Sequence, residues 1–538
     1  MNKLWLIPAL ILSLSCQKAQ EMEQGTKSAL DQIFDREGAD QAPALVVGIW
    51  QKGQLVYEYT SGKANLEQHT QVDQTTPFHI GFLTQQFVEY AIDQLINEGK
   101  LKANAPITQY LDELPEHFEK VKVKHLLNHS SGLLDYWAMR TLAGWGYDDP
   151  MNTAQAMEMI SSIHHLNQEP GTKVLYANTN PFLLARIVEK VSGLPIETYL
   201  KENIFNRLNM NEAFVSQDNS SLIQSRANDY LNDGEEWKRT FGHHHDVGPI
   251  GIYASLNDLH KWQAHIKGIK TDNAITLWEK QSHLGKEYQF RNGFYFGYRG
   301  FMGEFGEDYS VIILSADYYL NSGNQAKEVM GILNPGPNDQ ASPSTANSSA
   351  DYSESFDPDI YTGDYWDPIE FHSRSIRFEN DTLYYITPDN WKSPLEPIGK
   401  HEFKMTRSSI GRKVWFDSSG LEPMMAVGAS QENAYRYYAY ESASPSQAEL
   451  RAYAGTYYLP ELKAIYELYI EDGRLYAKHN RTSALRLDPL DKDRFANEDE
   501  WYFSTIRFQR DSRNQMTGFV LSTPELNNLL FHKITLPK

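Results

Sequence analysis

The sequence predicts an α/β domain followed by an all-β region, and three observations carry that expectation. Residues 42–59 hold an apolar run, a Lys52-Gly53 turn and a second run, Leu55-Val56-Tyr57-Glu58-Tyr59, which together give a hairpin signal. Leu183, Leu184, Ile187, Val188 and Val191 recur at spacings of three and four, the period of a helix with one apolar face. Beyond a stretch rich in Pro, Ser, Asn and Gly at 334–352, the chain turns strand-like, with many aromatics and frequent turns.

The N-terminus pairs a short positive stretch at Lys3 with an apolar run, residues 4–12, that ends at Ser13-Leu14-Ser15-Cys16. That is the pattern of an export signal, and it is too short for a good membrane span. Cys16 is the single cysteine of the 538 residues, so no intramolecular disulfide can form. Its position resembles a bacterial lipoprotein lipobox, with Ser13 where Leu is usual. The expectation is a signal at 1–16 and a lipid anchor on Cys16, with ordinary signal-peptidase cleavage as the competing reading. The chain would then sit at the cell envelope, periplasmic or surface-facing, held to the membrane by its acyl chains.

Four stretches carry the chemistry. Phe78-His79-Ile80-Gly81-Phe82-Leu83-Thr84-Gln85-Gln86-Phe87 reads as a strand end turning into a helix. His125-Leu126-Leu127-Asn128-His129-Ser130-Ser131-Gly132-Leu133-Leu134-Asp135-Tyr136 reads as a helix end running into a glycine-containing turn. Tyr176-Ala177-Asn178-Thr179-Asn180 opens the helix of the spaced apolar residues, and Ser192-Gly193 supplies its stop. Gly293-Phe294-Tyr295-Phe296-Gly297-Tyr298-Arg299-Gly300-Phe301 precedes the apolar strand Val311-Ile312-Ile313-Leu314-Ser315.

Over residues 25–333 these stretches resemble the serine β-lactamase-like family of class C β-lactamases, D-Ala-D-Ala carboxypeptidases and related esterases. The resemblance implies an α+β sandwich of the β-lactamase/transpeptidase type. The family's F-x-I-G-S-x-T-K-x-F is matched by Phe78, Ile80, Gly81, Thr84 and Phe87. Phe82 stands where the acylated Ser belongs, and Gln85 where the proton-accepting Lys belongs. An S-x-x-K pair places hydroxyl and amine on one face of the helix start. Phe has no nucleophilic atom, and the Gln amide has no useful basicity near neutral pH. Thr84 points roughly 160° away from Phe82 at ~100° per residue, a poor substitute.

Tyr176 and Asn178 match the family's Y-x-N and are the intact part of the site. They either contribute polar contacts to a ligand or serve packing and hydrogen bonding alone. The third motif, H-x-G or K-T-G, admits two alignments. One puts Phe294 at the His position and Phe296 at the first Gly; the other uses Tyr298 and Gly300. Neither supplies His or Lys. Arg299 is a candidate anion contact, with a surface salt bridge as its competing role. His129 is read as a residue that satisfies backbone groups in an irregular loop, with an active-site contact as its competing role. His243-His244-His245-Asp246 has no metal-site spacing and reads as a solvated loop, so no metal and no cofactor are expected.

Three altered motif positions together imply a pseudoenzyme, with Phe82, Gln85, Tyr176, Asn178, Phe294 and Arg299 lining a ligand site for peptidoglycan peptide or another small molecule. The competing reading is a hydrolase with a non-standard nucleophile. Lys plus Arg number 50 against 70 Asp plus Glu, 50 − 70 = −20, which disfavours a nucleic-acid partner. In the C-terminal region Tyr361-Thr362-Gly363-Asp364-Tyr365-Trp366 parallels Tyr453-Ala454-Gly455-Thr456-Tyr457-Tyr458, and the stretch from Pro397 to Phe403 parallels that from Pro489 to Phe495. These resemble lipocalin-like β modules in two copies, at 353–440 and 447–538.

Overall fold

The computed structural model describes residues 22–535 apart from 37, 147–148, 217–224, 235, 241–246, 270–274, 276, 284, 307, 335–356, 370, 389, 409–411, 418–422, 429 and 432–433. Cys16, the His243–Asp246 stretch and the linker beyond Asn334 lie outside the described residues. No helix among the described residues is long and apolar enough to cross a membrane.

The first domain is built on a six-stranded antiparallel sheet. In order across the sheet its strands are Glu279–His283, Lys286–Tyr295, Tyr298–Phe305, Tyr309–Ser315, Leu45–Gln51 and Gln54–Ser61. Leu45–Gln51 lies between two neighbours, with Val47 opposite Ile313 on one side and Tyr59 on the other. Successive side chains of a strand point to opposite faces. Accordingly Leu45, Val47 and Ile49 enter one core with Val311 and Ile313, while Val46 and Trp50 enter the other with Ile312 and Leu314. A strand buried on both faces reads as a continuous apolar run, which is how residues 44–50 look in the sequence.

Helices Gln24–Phe34 and Ser322–Leu333 cover the first face, through Leu30, Phe34, Val329 and Met330. On the other face Leu256–Ile266 packs through Trp262, whose ring stacks on Phe87 of helix Thr84–Asn97 at 4.1 Å between centroids. The helix expected from apolar spacing is Thr179–Ser192. Leu183, Leu184, Ile187 and Val188 are buried in it, and Gly193 ends it in the left-handed region at φ 72°. A β-carbon is disfavoured in that conformation, which is why glycine terminates helices so often.

The C-terminal region forms two closed eight-stranded barrels, from Gly363 to Tyr440 and from Gly455 to Ile534. Their repeat is a repeat of register: Tyr365 faces Arg374 in the first, and Tyr457 faces Tyr466 in the second. In each, the tyrosine hydroxyl donates to the carbonyl four residues earlier, Tyr365 to Tyr361 at 2.8 Å and Tyr457 to Tyr453 at 2.7 Å. Each barrel also carries an irregularity just after a proline, Pro397 and Pro489. Closure pairs every strand edge.

The second barrel docks on the first domain. Tyr466 Oη donates to Leu142 O at 3.1 Å, and the Asn167 side chain bonds Glu525 O and Asn527 N, both at 2.8 Å. The first barrel docks on the second, where Trp366, Phe371 and Tyr440 meet Leu490 and Ala496.

Candidate functional site

The helix start carrying Phe82 is wedged against a strand. Residues 81–83 form a single 3₁₀ turn that continues into Thr84–Asn97. Gly81 has φ +55°, and a β-carbon there would lie 2.4 Å from the carbonyl oxygen of Phe294. The contact is reciprocal, since a β-carbon on Gly293 would lie 2.2 Å from Ile80 O. Behind the turn His79 accepts the Gly81 amide on Nδ1 at 3.0 Å. Burial pushes the His79 imidazole down to about 3, so it stays neutral and holds that amide.

Phe82 and Gln85 project one turn apart into the same cleft as Tyr176, Asn178 and Phe294. The Phe82 ring lies 4.6 Å from Phe294, 5.8 Å from Trp137 and 6.3 Å from Tyr176, between centroids. Gln85 is buried, and its Nε2 donates to Tyr176 Oη at 2.7 Å. Tyr176 Oη in turn donates to Asn178 Oδ1 at 2.9 Å, and Asn178 Nδ2 donates to Asp135 Oδ2 at 2.9 Å. All donors in this chain run one way, from amide through phenol and amide to carboxylate.

Asp135 terminates the chain and is saturated. Its Oδ2 also takes the Asn178 amide at 2.6 Å, while Oδ1 caps the helix Tyr136–Leu142 by accepting from Trp137 N and Ala138 N at 2.8 and 3.0 Å. Burial raises its carboxyl, against the pull of those donors. Burial likewise pushes the Tyr176 phenol well above its ordinary value, with the Asp135 charge adding to the effect. The three side chains ahead of Asp135 do not give up their protons near neutral pH, so these bonds order Gln85, Tyr176 and Asn178 against one another.

Thr84 is turned away, as its helical angle predicts: it is fully buried, and its Oγ1 accepts the Ile252 amide at 3.2 Å. Arg299 does not reach the cleft. Its guanidinium lies 4.6 Å over the Tyr318 ring and donates to the carbonyls of Phe296 and Tyr298.

Residues 30–323, more than half of the 538, match the Beta-lactamase family. The chain belongs to that family. Residues 440–533 match a domain of unknown function (DUF3471), a range that takes in the second barrel. A D-aminopeptidase from Brucella anthropi is 28% identical over 233 residues, 43% of this chain and 44% of that protein. A D-aminopeptidase from Brucella canis is 26% identical over 231 residues, with the same two shares. The chain thus spans less than half the length of the curated relatives it matches. Among solved structures, an octameric penicillin-binding protein homologue from Pyrococcus abyssi shares the fold at 19% identity and a TM-score of 0.52, over 78% of this chain and 100% of that one.

The Beta-lactamase-family domain also holds residues that the sequence reading passed over. The glycine demanded where the strand touches the helix start is Gly293, not Gly297, which instead packs on Asp229 and Tyr230. Counting back two positions from Gly293 gives Arg291, so a cation does stand at the head of this third motif. It is tied down, with Nη2 3.5 Å from Glu89, Nη1 3.3 Å from Glu279 and Nε donating to Leu277 O at 3.2 Å. Burial pushes Glu89 up to about 7 despite that arginine. His129 does more than fill a loop: its ring stacks on Tyr176 at 4.7 Å, and Nδ1 meets Asn180 Nδ2 at 3.0 Å. Burial lowers it to about 4, so it is a neutral wall of the cleft.

Proposed function

We propose that this Beta-lactamase-family chain is a non-catalytic ligand-binding or regulatory protein of the cell envelope. The observation that carries the reading is the one-way hydrogen-bond chain from Gln85 to Asp135, standing where a nucleophile and its base would be required. Acyl transfer needs a nucleophile within reach of a base that can accept its proton. Here an aromatic ring and an amide occupy those two places. Tyr176, Asn178 and Phe294 then offer a ligand two polar groups and an apolar wall. Export and anchoring through Cys16 belong to the same reading, and the mass of the membrane-extracted mature protein tests them.

The D-aminopeptidase relatives favour a second reading, a hydrolase acting through another nucleophile. Nearby hydroxyls are already committed. Ser131 Oγ bonds Asn180 Oδ1 at 2.6 Å, Ser130 Oγ bonds Asn128 Oδ1 at 2.6 Å, and Thr84 is buried on Ile252. The deciding experiment treats the chain lacking residues 1–16 with a fluorescent penicillin and a fluorophosphonate, alongside chromogenic ester turnover. Neither label nor turnover is expected. Stoichiometric labelling would replace this reading with the hydrolase one, and the modified peptide would name the nucleophile.

A further inference from the structure

Phe82 does more than displace a serine. It meets Phe294 at an interplanar angle of 80° and Tyr176 at 82°, with Trp137 on a third side at 38°. Tyr176 has one face covered by the His129 ring and is 42% exposed overall, and Phe294 is 55% exposed. The rings therefore form an aromatic corner that opens to solvent. Exposed aromatic faces set side by side attract weakly hydrated cations.

Among the described residues, the charges around the corner leave no free cation to attract an anion. Those acting on the Tyr176 hydroxyl are Asp135 and Glu89 on the negative side and Arg291 on the positive side. Arg291 is shared between Glu89 and Glu279, so its charge is compensated where it stands. Arg299, the other arginine of this strand pair, is turned onto Tyr318. An incoming carboxylate would meet ring faces and compensated arginines. An ammonium would meet π-density.

We infer that the corner of Phe82, Tyr176, Phe294 and Trp137 binds a methylated ammonium group, so that the ligand of this cleft is an organic cation. The inference rests on the ligand-binding reading above and names the chemistry of its ligand. It also accounts for the replacement of Ser by Phe as a gain of recognition surface rather than as simple loss.

The test titrates the full chain with choline and, separately, with 3,3-dimethylbutan-1-ol, its neutral isostere of the same shape, and follows both by NMR. Choline is expected to bind about tenfold more tightly than the alcohol. Phe294→Leu keeps apolar area but removes a π-face, so it should erase that preference while leaving the alcohol unchanged. Phe294→Trp should restore it. Because Phe294 is half exposed, both variants are expected to fold, and their thermal midpoints check this. Equal affinity for the two probes would overturn the cation site while leaving an apolar ligand site standing. Binding of neither probe, or a choline preference that survives Phe294→Leu, would also overturn it. Failure of the non-catalytic reading registers separately, as covalent labelling by penicillin or fluorophosphonate.

Discussion

On the proposed reading Phe82 takes the place of a nucleophile and adds an aromatic wall, whereas Gln85 takes the place of a base yet keeps a hydrogen bond to Tyr176. The two losses act as a unit, because a hydroxyl without an acceptor for its proton is inert and a base without a hydroxyl has nothing to activate. Phe82→Ser alone should leave penicillin labelling at background. Phe82→Ser with Gln85→Lys should give slow but measurable labelling, since burial at position 85 would lower the new amine toward a usable range. Labelling by the single variant would mean that some group other than residue 85 serves as base. Tyr176 tests the structural side of the same chain. Its hydroxyl accepts from Gln85 and donates to Asn178, so Tyr176→Phe strands a donor and an acceptor together. Each stranded buried group costs about 1–3 kcal/mol, so for the two together urea unfolding should show a loss of about 2–6 kcal/mol.

At the scale of elements, the site depends on one close approach between the helix start at Gly81 and the strand Lys286–Tyr295. Gly81 and Gly193 both sit at positive φ, 55° and 72°, but only Gly81 has strand backbone where a β-carbon would go. Gly193→Ala should cost about 1–2 kcal/mol, the left-handed strain alone. Gly81→Ala should cost clearly more, because backbone must move as well. Equal losses by denaturant unfolding would show that the wedge is not tight. This contact also marks how far the sequence could be read. The helix of Leu183 to Val188 and its Gly193 stop were legible because spacing and capping are local. The duplicated barrels were legible because equivalent residues recur in order. The third motif was not, since Gly293, Gly297 and Gly300 look alike along the chain. What separates them is which one the distant Ile80 touches, and strand register across the sheet settles that. Missing Gly293 meant missing Arg291 as well. Likewise, nothing near Tyr176 in sequence announces that His129 stacks on it.

Across the whole molecule the three units lean on one another in series, the second barrel on the first domain and the first barrel on the second. The joint between the barrels holds a carboxyl in an unfavourable place. Glu498 of the second barrel accepts the Ser373 amide of the first at 2.8 Å, with Arg374 at 3.7 Å and His372 at 3.9 Å. Asp488 adds a like charge, and Asp364 and Asp367 act on the neighbouring Tyr440 and His372. Burial outweighs the hydrogen bond and the arginine, and raises Glu498 to about 7. A folded-state value above the ordinary 4.5 means that docking favours the protonated form. Its stabilisation is complete below about pH 4.5 and is lost as pH rises toward about 7. Burial lowers His372, which therefore works in the opposite sense as pH falls, so wild type alone would show a blend of the two. Glu498→Gln keeps the shape, cannot ionise, and retains His372 in both proteins compared. The stability of wild type relative to Glu498→Gln should fall by about 2–3 kcal/mol between pH 5 and pH 8, measured by urea unfolding at matched ionic strength. Parallel pH profiles would mean that Arg374 keeps Glu498 ionised throughout, and that the joint between the barrels is indifferent to pH in that range.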